Sequence, residues 1–134
     1  MRCFNVEQFN KREERIIVVE KLYSYDMNND YIFLGAKDDY SDMVTDIINF
    51  VCNNLEKIDE LISGSLVNYR LSRLSYVDRA IMRMATAEMM MGLAPSIAIN
   101  EALEIAKVYT DEGNGAAVRF MNGVLDKVKK NLER

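Results

Sequence analysis

The chain has 134 residues, of which 49% are hydrophobic, and this length and composition suit one globular domain with a sizeable core. It contains no histidine, which removes the usual general base and the commonest metal ligand, and it has no glycine-rich run that could cradle a nucleotide. The sequence therefore offers no catalytic residue, no metal site and no cofactor, and we expect a protein that is not an enzyme.

The cysteines and the start of the chain bear on its location. Cys3 and Cys52 stand far apart without a Cys-x-x-Cys spacing, which favours two buried thiols over a disulfide or a thiolate metal site. No apolar run is long enough to span a membrane, and the first residues lack the apolar stretch and the cleavage site of a signal peptide. We therefore expect a cytoplasmic protein.

The net charge of −4 argues at first against nucleic acid, since cations supply most of the non-specific affinity for phosphate. The acidic residues are concentrated between positions 26 and 60, where nine carboxylates accompany only Lys37 and Lys57, a balance of −7. The rest of the chain sums to +3. One face of the molecule can thus attract an anion, although an acidic segment is more often an ordinary solvated surface.

The pattern of the first half predicts helices. Proline occurs once, and apolar residues recur at spacings of three and four, which indicates an all-α protein. Asn10 is expected to cap a first helix that runs to about Met27. Ser41 or Asp42 is expected to open a second helix, and a third is expected around Leu61.

The second half carries clearer end signals. Ser75 and Asp78 have the spacing of a capping box and predict a helix that Gly92 ends. Ser96 is expected to cap the next helix, and a final helix follows the loop at residues 111–115 (DEGNG). Its apolar stripe, at spacings of three and four, is expected to consist of Met121, Val124, Leu125, Val128 and Leu132.

Two polar features within these helices need a structural explanation. Asn122 and Gly123 are poor helix formers inside the last helix, and we expect another helix to approach closely there. Asn100 and Glu101 are expected to tie neighbouring helices together through an arginine of the fourth helix, Arg79 or Arg83.

Four sequence blocks in this order resemble the NusB family of small helical RNA-binding transcription factors. They are residues 22–25 (LYSY), 78–88 (DRAIMRMATAE), 95–102 (PSIAINEA) and 118–127 (VRFMNGVLDK). Residues 26–70 match only in helical character. The resemblance implies an all-α bundle of about seven helices in two small subdomains, with residues 1–134 forming a single domain that binds RNA and protein.

Basic residues stand where the NusB family has an arginine-rich segment that meets single-stranded boxA RNA. Lys11, Arg12 and Arg15 lie along the start of the first helix, with Lys11 and Arg15 four apart on one face. The resemblance therefore implies that all three contact RNA. Glu13 and Glu14 interrupt the run, so the alternative is a set of surface charges paired with these glutamates.

The resemblance also assigns RNA contacts to two aromatic residues and a further cation. Tyr23 and Tyr25 are two apart on a helix and cannot both point into the core, and the resemblance assigns the contact to Tyr23. Arg119 and Phe120 follow a glycine-rich loop, where free backbone N–H groups favour an anion. The loop after Lys107 is longer than is usual in the family, and a purely structural Phe120 is the alternative.

The function implied by the resemblance is that of a non-enzymatic transcription antitermination adaptor. It would bind boxA-like single-stranded RNA together with NusE, a small-subunit ribosomal protein, in the RNA polymerase antitermination complex, and so support rRNA transcription. One alternative is a NusB-fold protein interaction module that has lost RNA binding. Another is an accessory domain to a separate rRNA methyltransferase, since the chain ends at Arg134 without a catalytic domain of that kind.

Overall fold

A computed structural model describes residues 4–31 and 40–133, with side chains from residue 11 onward. Within these residues the chain forms six α-helices, one 3₁₀ turn at Leu71–Arg73 and no strand. The helices are α1 (Phe4–Met27), α2 (Asp42–Asn53), α3 (Leu55–Ser65), α4 (Tyr76–Met90), α5 (Pro95–Tyr109) and α6 (Ala116–Leu132). The predicted all-α class is confirmed, with six α-helices and a short turn where about seven helices were expected.

Two predicted helix caps are present. The Ser41 hydroxyl accepts a hydrogen bond from the backbone N–H of Val44 at 3.2 Å and caps α2. The Ser75 hydroxyl accepts one from the backbone N–H of Asp78 at 3.0 Å and caps α4. Each bond satisfies a donor that the helix itself leaves unpaired, so these two boundaries follow directly from local sequence.

Two other predicted starts are wrong. Asn10 lies inside α1, which begins at Phe4, because helical residues continue upstream of the expected cap. Ser96 is the second residue of α5 and not its cap, because Pro95 already occupies the first helical position. Proline suits that position, since its fixed φ matches the helix and its missing N–H is not needed there.

Helix α4 is the centre of the molecule. Every residue from Arg79 to Met89 is buried, and each of the other five helices packs against α4. Helices α1 and α2 also pack on each other, while α6 also packs on α3 and α5. The other five helices are therefore joined through α4, and the division into two subdomains stays a prediction.

Two arginines of α4 form ion pairs with acidic residues of α1 and α3. Arg79 Nε lies 2.8 Å from Asp26 Oδ2 at the end of α1. Arg83 donates to both carboxylate oxygens of Asp59 on α3, at 2.8 and 2.9 Å. Part of the acidic segment thus pairs with the core helix, and the prediction that Arg79 or Arg83 binds Glu101 is wrong.

Helix α6 buries the predicted stripe and exposes its glycine. Met121, Val124, Leu125 and Val128 are buried. Gly123 is exposed, and a Cβ atom built on it would meet no heavy atom within 4 Å apart from its chain neighbours and the adjacent backbone of its own helix. The expected close approach of another helix at Gly123 is therefore wrong.

The cysteine prediction is tested at one position. Cys52 is half-buried and packs against the core, whereas Cys3 lies outside the described residues. Across residues 4–31 and 40–133, no helix has both the length and the apolar character of a membrane span.

Candidate nucleic-acid interface

The basic run of α1, residues 11–15, presents one cation fully and a second cation in part. Lys11 is exposed. Arg12 donates from Nε and Nη2 to the two carboxylate oxygens of Glu101 on α5, at 3.0 and 2.7 Å, and its side chain is 42% exposed. Hydrogen bonding to Glu101 raises the pKa of the Arg12 guanidinium. One edge of this guanidinium is held by a carboxylate, while the side chain still reaches solvent.

Arg15 lies inside the molecule. It is 5% exposed, and its Nε and Nη2 each donate to the Glu88 carboxylate of α4 at 2.8 Å. Its Nη1 is also 3.8 Å from Glu101 Oε1. A charged pair in this position is costly to break, because the remaining charge would be left buried. The contacts give Arg15 a structural role between α1 and α4, unlike the phosphate contact expected from its position in the basic run.

Glu101 binds arginines of α1 and not the predicted arginines of α4. Glu101 does tie helices together, as expected, but its partners are Arg12 and Arg15 of α1. The interrupting glutamates also differ from each other. Glu13 is exposed, whereas Glu14 accepts a hydrogen bond from the Ser41 hydroxyl that caps α2.

Tyr23 is the outward aromatic residue at the end of α1. It is 37% exposed, and its ring meets the ring of Tyr76 edge-on, with centroids 6.1 Å apart. Tyr25, in contrast, is half-buried and packs against the core. The expectation that these two residues point in different directions is confirmed.

Tyr23 is connected to the loop before α6 by two neighbouring recesses. The first is an apolar recess of about 140 Å³ that includes Tyr23, Val77 and Tyr109 in its lining. The second is a wider cleft of about 490 Å³ that includes Val77, Tyr109, Asn114 and Ala116. Because both are lined by Val77 and Tyr109, a continuous surface runs from the end of α1 to the start of α6.

The loop before α6 is shaped by glycines and one carboxylate. Asp111 accepts hydrogen bonds from the backbone N–H groups of Gly113 and Gly115, at 3.3 and 3.1 Å. Gly115 caps α6 with φ of 76°, a conformation that an L side chain adopts at a cost. Arg119 folds back over this turn, and its Nη1 donates to the Asn114 carbonyl at 3.2 Å while the side chain stays exposed.

Phe120 belongs to an exposed aromatic pair. It is 38% exposed, and its ring centroid lies 5.7 Å from that of Tyr69, with the planes tilted by 51°. Tyr69 is 49% exposed and precedes the exposed Arg70 in the connection between α3 and α4. The sequence reasoning missed Tyr69. The available signal was a tyrosine between asparagine and arginine in a segment without helical periodicity, where no buried stripe requires an aromatic residue.

Among the described residues, no group of three or more histidine, cysteine, aspartate or glutamate side chains is arranged to hold a metal ion. The candidate surface offers exposed aromatic residues with nearby guanidinium and ammonium groups. Such groups stack on bases and neutralise phosphates.

The comparison with known sequences decides the family. The sequence model of the NusB family matches residues 12–130. The chain belongs to the NusB family. A transcription antitermination protein NusB from Desulforapulum autotrophicum is 33% identical over 140 aligned positions, which cover 93% of this chain and 96% of that relative. The protein of the same name from Bacillus subtilis is 38% identical over 90 positions, which cover 66% of each chain.

Solved structures show the NusB fold directly. The structure of T. maritima NusB has a TM-score of 0.71 and 30% identity, and the match covers 92% of this chain and 96% of that one. A chain in the crystal structure of a plectonemic RNA supercoil has a TM-score of 0.74 at 22% identity, with the same coverage of both chains. The second likeness concerns the fold alone.

On this NusB fold, the six predicted site residues separate by exposure. Arg15 is buried against Glu88. The others reach solvent at least in part, namely Lys11, Arg12, Tyr23, Arg119 and Phe120. The structure brings Arg119 and Phe120 together on one end of α6. Tyr23 lies about 18 Å along α1 from Lys11, at a rise of about 1.5 Å per residue, so the basic run and the tyrosine are well separated along that helix.

Proposed function

We propose that this chain acts as a non-enzymatic transcription antitermination factor that binds boxA-type single-stranded RNA together with NusE. In this proposal it works as a single domain in the cytoplasm, within the RNA polymerase antitermination complex, and supports rRNA transcription. Membership of the NusB family supports the class of function, and relatives over nearly the whole chain carry the name transcription antitermination protein.

The observation that carries the RNA proposal is the exposed pair of Phe120 and Tyr69 beside Arg119. Aromatic rings with solvent-accessible faces allow bases to stack, and each stacked base contributes about 1–3 kcal/mol. Neither ring is part of the core, so core packing does not explain why aromatic residues stand at these two positions. Arg119 is next to Phe120 on the same exposed end of α6 and offers a cation for the connecting phosphate.

Lys11 and Arg12 of α1 contribute further cations in this proposal. Lys11 is exposed, and Arg12 is held by Glu101 along one edge of its guanidinium. A guanidinium has five N–H donors, so a phosphate can bind the part that Glu101 does not use. Arg15 is left out of the phosphate contacts because it is buried against Glu88, and it supports the helix from which Lys11 and Arg12 project.

Single-stranded RNA fits this surface better than a duplex. The chain has a net charge of −4, and only a few exposed cations lie at the proposed site, so it is poorly suited to the dense phosphates of a double helix. Stacking on Phe120 also needs unpaired bases, which occur in single strands and loops of RNA. The same scarcity of cations favours a second protein, and NusE would add contacts that this chain lacks.

The test is a titration of a labelled boxA-type single-stranded RNA, with and without NusE. We expect weak binding alone and tighter binding with NusE. With three phosphate contacts, the slope of log affinity against log salt should be about −2, from about −0.7 per contact. A duplex of the same sequence is the control. Tighter binding to the duplex, or no binding to the single strand in either condition, would contradict the proposal.

A protein-only interaction module is the second candidate, and one observation favours it. Two of the three predicted α1 cations already bind Glu88 and Glu101, which reduces the charge available for phosphate. The same titration separates the two functions. NusE binding without any contribution from RNA would support the protein-only module.

A further inference from the structure

Glu101 of α5 lies beside two arginines of α1 and is bound unequally to them. Arg12 donates from Nε and Nη2 to both oxygens of the Glu101 carboxylate, at 3.0 and 2.7 Å. Arg15 comes only within 3.8 Å of Glu101, while its own Nε and Nη2 each donate to the Glu88 carboxylate at 2.8 Å. Glu101 is therefore mainly the partner of Arg12.

The arginines of α1 do not both need this carboxylate to be folded into place. The Arg12 side chain is 42% exposed and that of Glu101 17%, so water solvates the Arg12 guanidinium when the carboxylate is absent. Ion pairs that reach solvent contribute little to folding, because water screens the two charges. The buried Arg15 keeps its two bonds to Glu88 without Glu101. The contact between Arg12 and Glu101 is thus open to a functional explanation.

The Glu101 carboxylate occupies donors that a phosphate would otherwise use. A guanidinium binds carboxylates and phosphates in the same way, through two parallel N–H groups. Glu101 takes the pair formed by Nε and Nη2 of Arg12 and leaves the other edge of the guanidinium. Its negative charge also repels a phosphate that approaches the remaining edge. Arg12 therefore attracts RNA less strongly than an arginine without a carboxylate partner.

We propose that Glu101 competes with RNA phosphates for the Arg12 guanidinium and thereby limits the affinity of the chain for RNA of any sequence. Phosphate contacts add affinity without regard to sequence, whereas contacts with unpaired bases provide selectivity. A carboxylate that weakens one phosphate contact lowers the sequence-independent part of binding and leaves the base contacts intact. This inference rests on the proposed RNA function, and it adds a residue that acts through Arg12 without touching RNA.

The test is Glu101→Gln, which removes the charge at nearly constant side-chain size. RNA affinity should rise by up to about fivefold at 0.1 M salt, because one additional phosphate contact steepens the salt slope by about 0.7 over the decade up to 1 M. The gain should be the same for the labelled boxA-type single strand and for an unrelated single strand of equal length. Fluorescence anisotropy measures both affinities, with and without NusE. Urea melts should show equal or lower stability, so a firmer fold cannot explain tighter binding.

Glu104→Gln provides a matched control on the same helix. It changes the net charge of the chain by the same amount, and its carboxylate pairs with Lys107 at 2.9 Å. The pKa of the Arg12 guanidinium is raised mainly by the hydrogen bond to Glu101 and less by the charge of Glu104. Glu104→Gln should therefore tighten RNA binding clearly less than Glu101→Gln. In an Arg12→Ala background, Glu101→Gln should have no further effect on RNA affinity.

The outcomes separate this inference from the broader proposal. If the wild-type protein binds RNA and Glu101→Gln binds it no more tightly, the competition is wrong and RNA binding stands. An equal gain from Glu104→Gln, or a gain that persists in the Arg12→Ala background, also overturns the inference. If Glu101→Gln does not fold, Glu101→Asp replaces it, since the shorter carboxylate keeps the charge and should give a smaller gain. If neither the wild-type protein nor the variant binds single-stranded RNA, both ideas fail together.

Discussion

Helices α1 and α6 both carry arginines that the family resemblance assigns to RNA contacts, but these arginines have different surroundings in the structure. In α1, Arg15 is buried on Glu88, and Arg12 is fixed along one edge by Glu101. In α6, Arg119 only reaches back to a loop carbonyl and remains exposed beside Phe120. The difference arises from what faces each helix. Carboxylates on α4 and α5 face Arg12 and Arg15 of α1, whereas a solvent-exposed turn precedes α6.

This comparison shows that a basic run does not by itself define a binding surface. A cation with a buried carboxylate opposite it becomes part of the core, and a cation beside exposed aromatic rings remains available to a ligand. The contributions to folding stability differ in the same way. Breaking a buried ion pair costs several kcal/mol of stability, whereas an exposed contact contributes about 1 kcal/mol or less.

The largest effect is expected from breaking the buried pair. Arg15→Ala should lower the free energy of unfolding by about 3–5 kcal/mol, because it leaves the Glu88 carboxylate buried without its partner. Urea denaturation measures the change. Arg12→Ala is the control and should cost much less, since the Arg12 side chain is 42% exposed. Equal stability of the two variants would show that burial does not distinguish these arginines.

A smaller and different effect is expected at Phe120. Phe120→Ala should weaken RNA binding by about 1–3 kcal/mol through lost stacking. It should lower stability by less than the 3–5 kcal/mol typical of a buried phenylalanine. Urea melts and RNA titrations on the same preparation measure both quantities. A large loss of stability with normal RNA affinity would mean that Phe120 is a packing residue.

Arg119 should affect the salt dependence of binding. Arg119→Ala removes one phosphate contact, so the slope of log affinity against log salt should become shallower by about 0.7. The melting temperature should remain nearly unchanged because the side chain is exposed. Titrations at several salt concentrations provide the measurement. An unchanged slope would remove Arg119 from the interface.

The smallest effect is expected from adding positive charge to the basic run of α1. Glu13→Lys adds an exposed cation between Arg12 and Glu14, and it should steepen the salt slope by up to about 0.7 while stability changes by about 0.5 kcal/mol or less. Glu14 is less suitable, because it accepts a hydrogen bond from the Ser41 hydroxyl. If the slope does not change, the basic run of α1 does not contact RNA.

Local signals were sufficient for much of the fold. The caps at Ser41 and Ser75 and the buried stripe of α6 were predicted from spacing and hydrogen-bonding capacity alone. The start of α1 was placed too late because Asn10 can cap a helix but does not have to. Local sequence states which ends are possible, and residues further upstream decide which one is used.

The candidate site was less predictable, because it depends on contacts between distant segments. Arg15 binds the carboxylate of a residue 73 positions away, and Glu101 binds Arg12 instead of the expected arginines of α4. Tyr69 was missed because its partner, Phe120, lies on another helix. The spacing of charges along one helix does not reveal which face another helix will bury. Arg15 differs from the other predicted site residues because its side chain is buried in this way.

The central position of α4 has a consequence for how the chain folds during synthesis. Asp26 and Asp59 leave the ribosome before their partners, since Arg79 follows Asp26 by 53 positions and Arg83 follows Asp59 by 24. The three N-terminal helices therefore carry unmatched carboxylates and an incomplete core until α4 has emerged. Folding should be delayed until that point, and protease resistance of ribosome-bound chains should appear only in those long enough to expose α4.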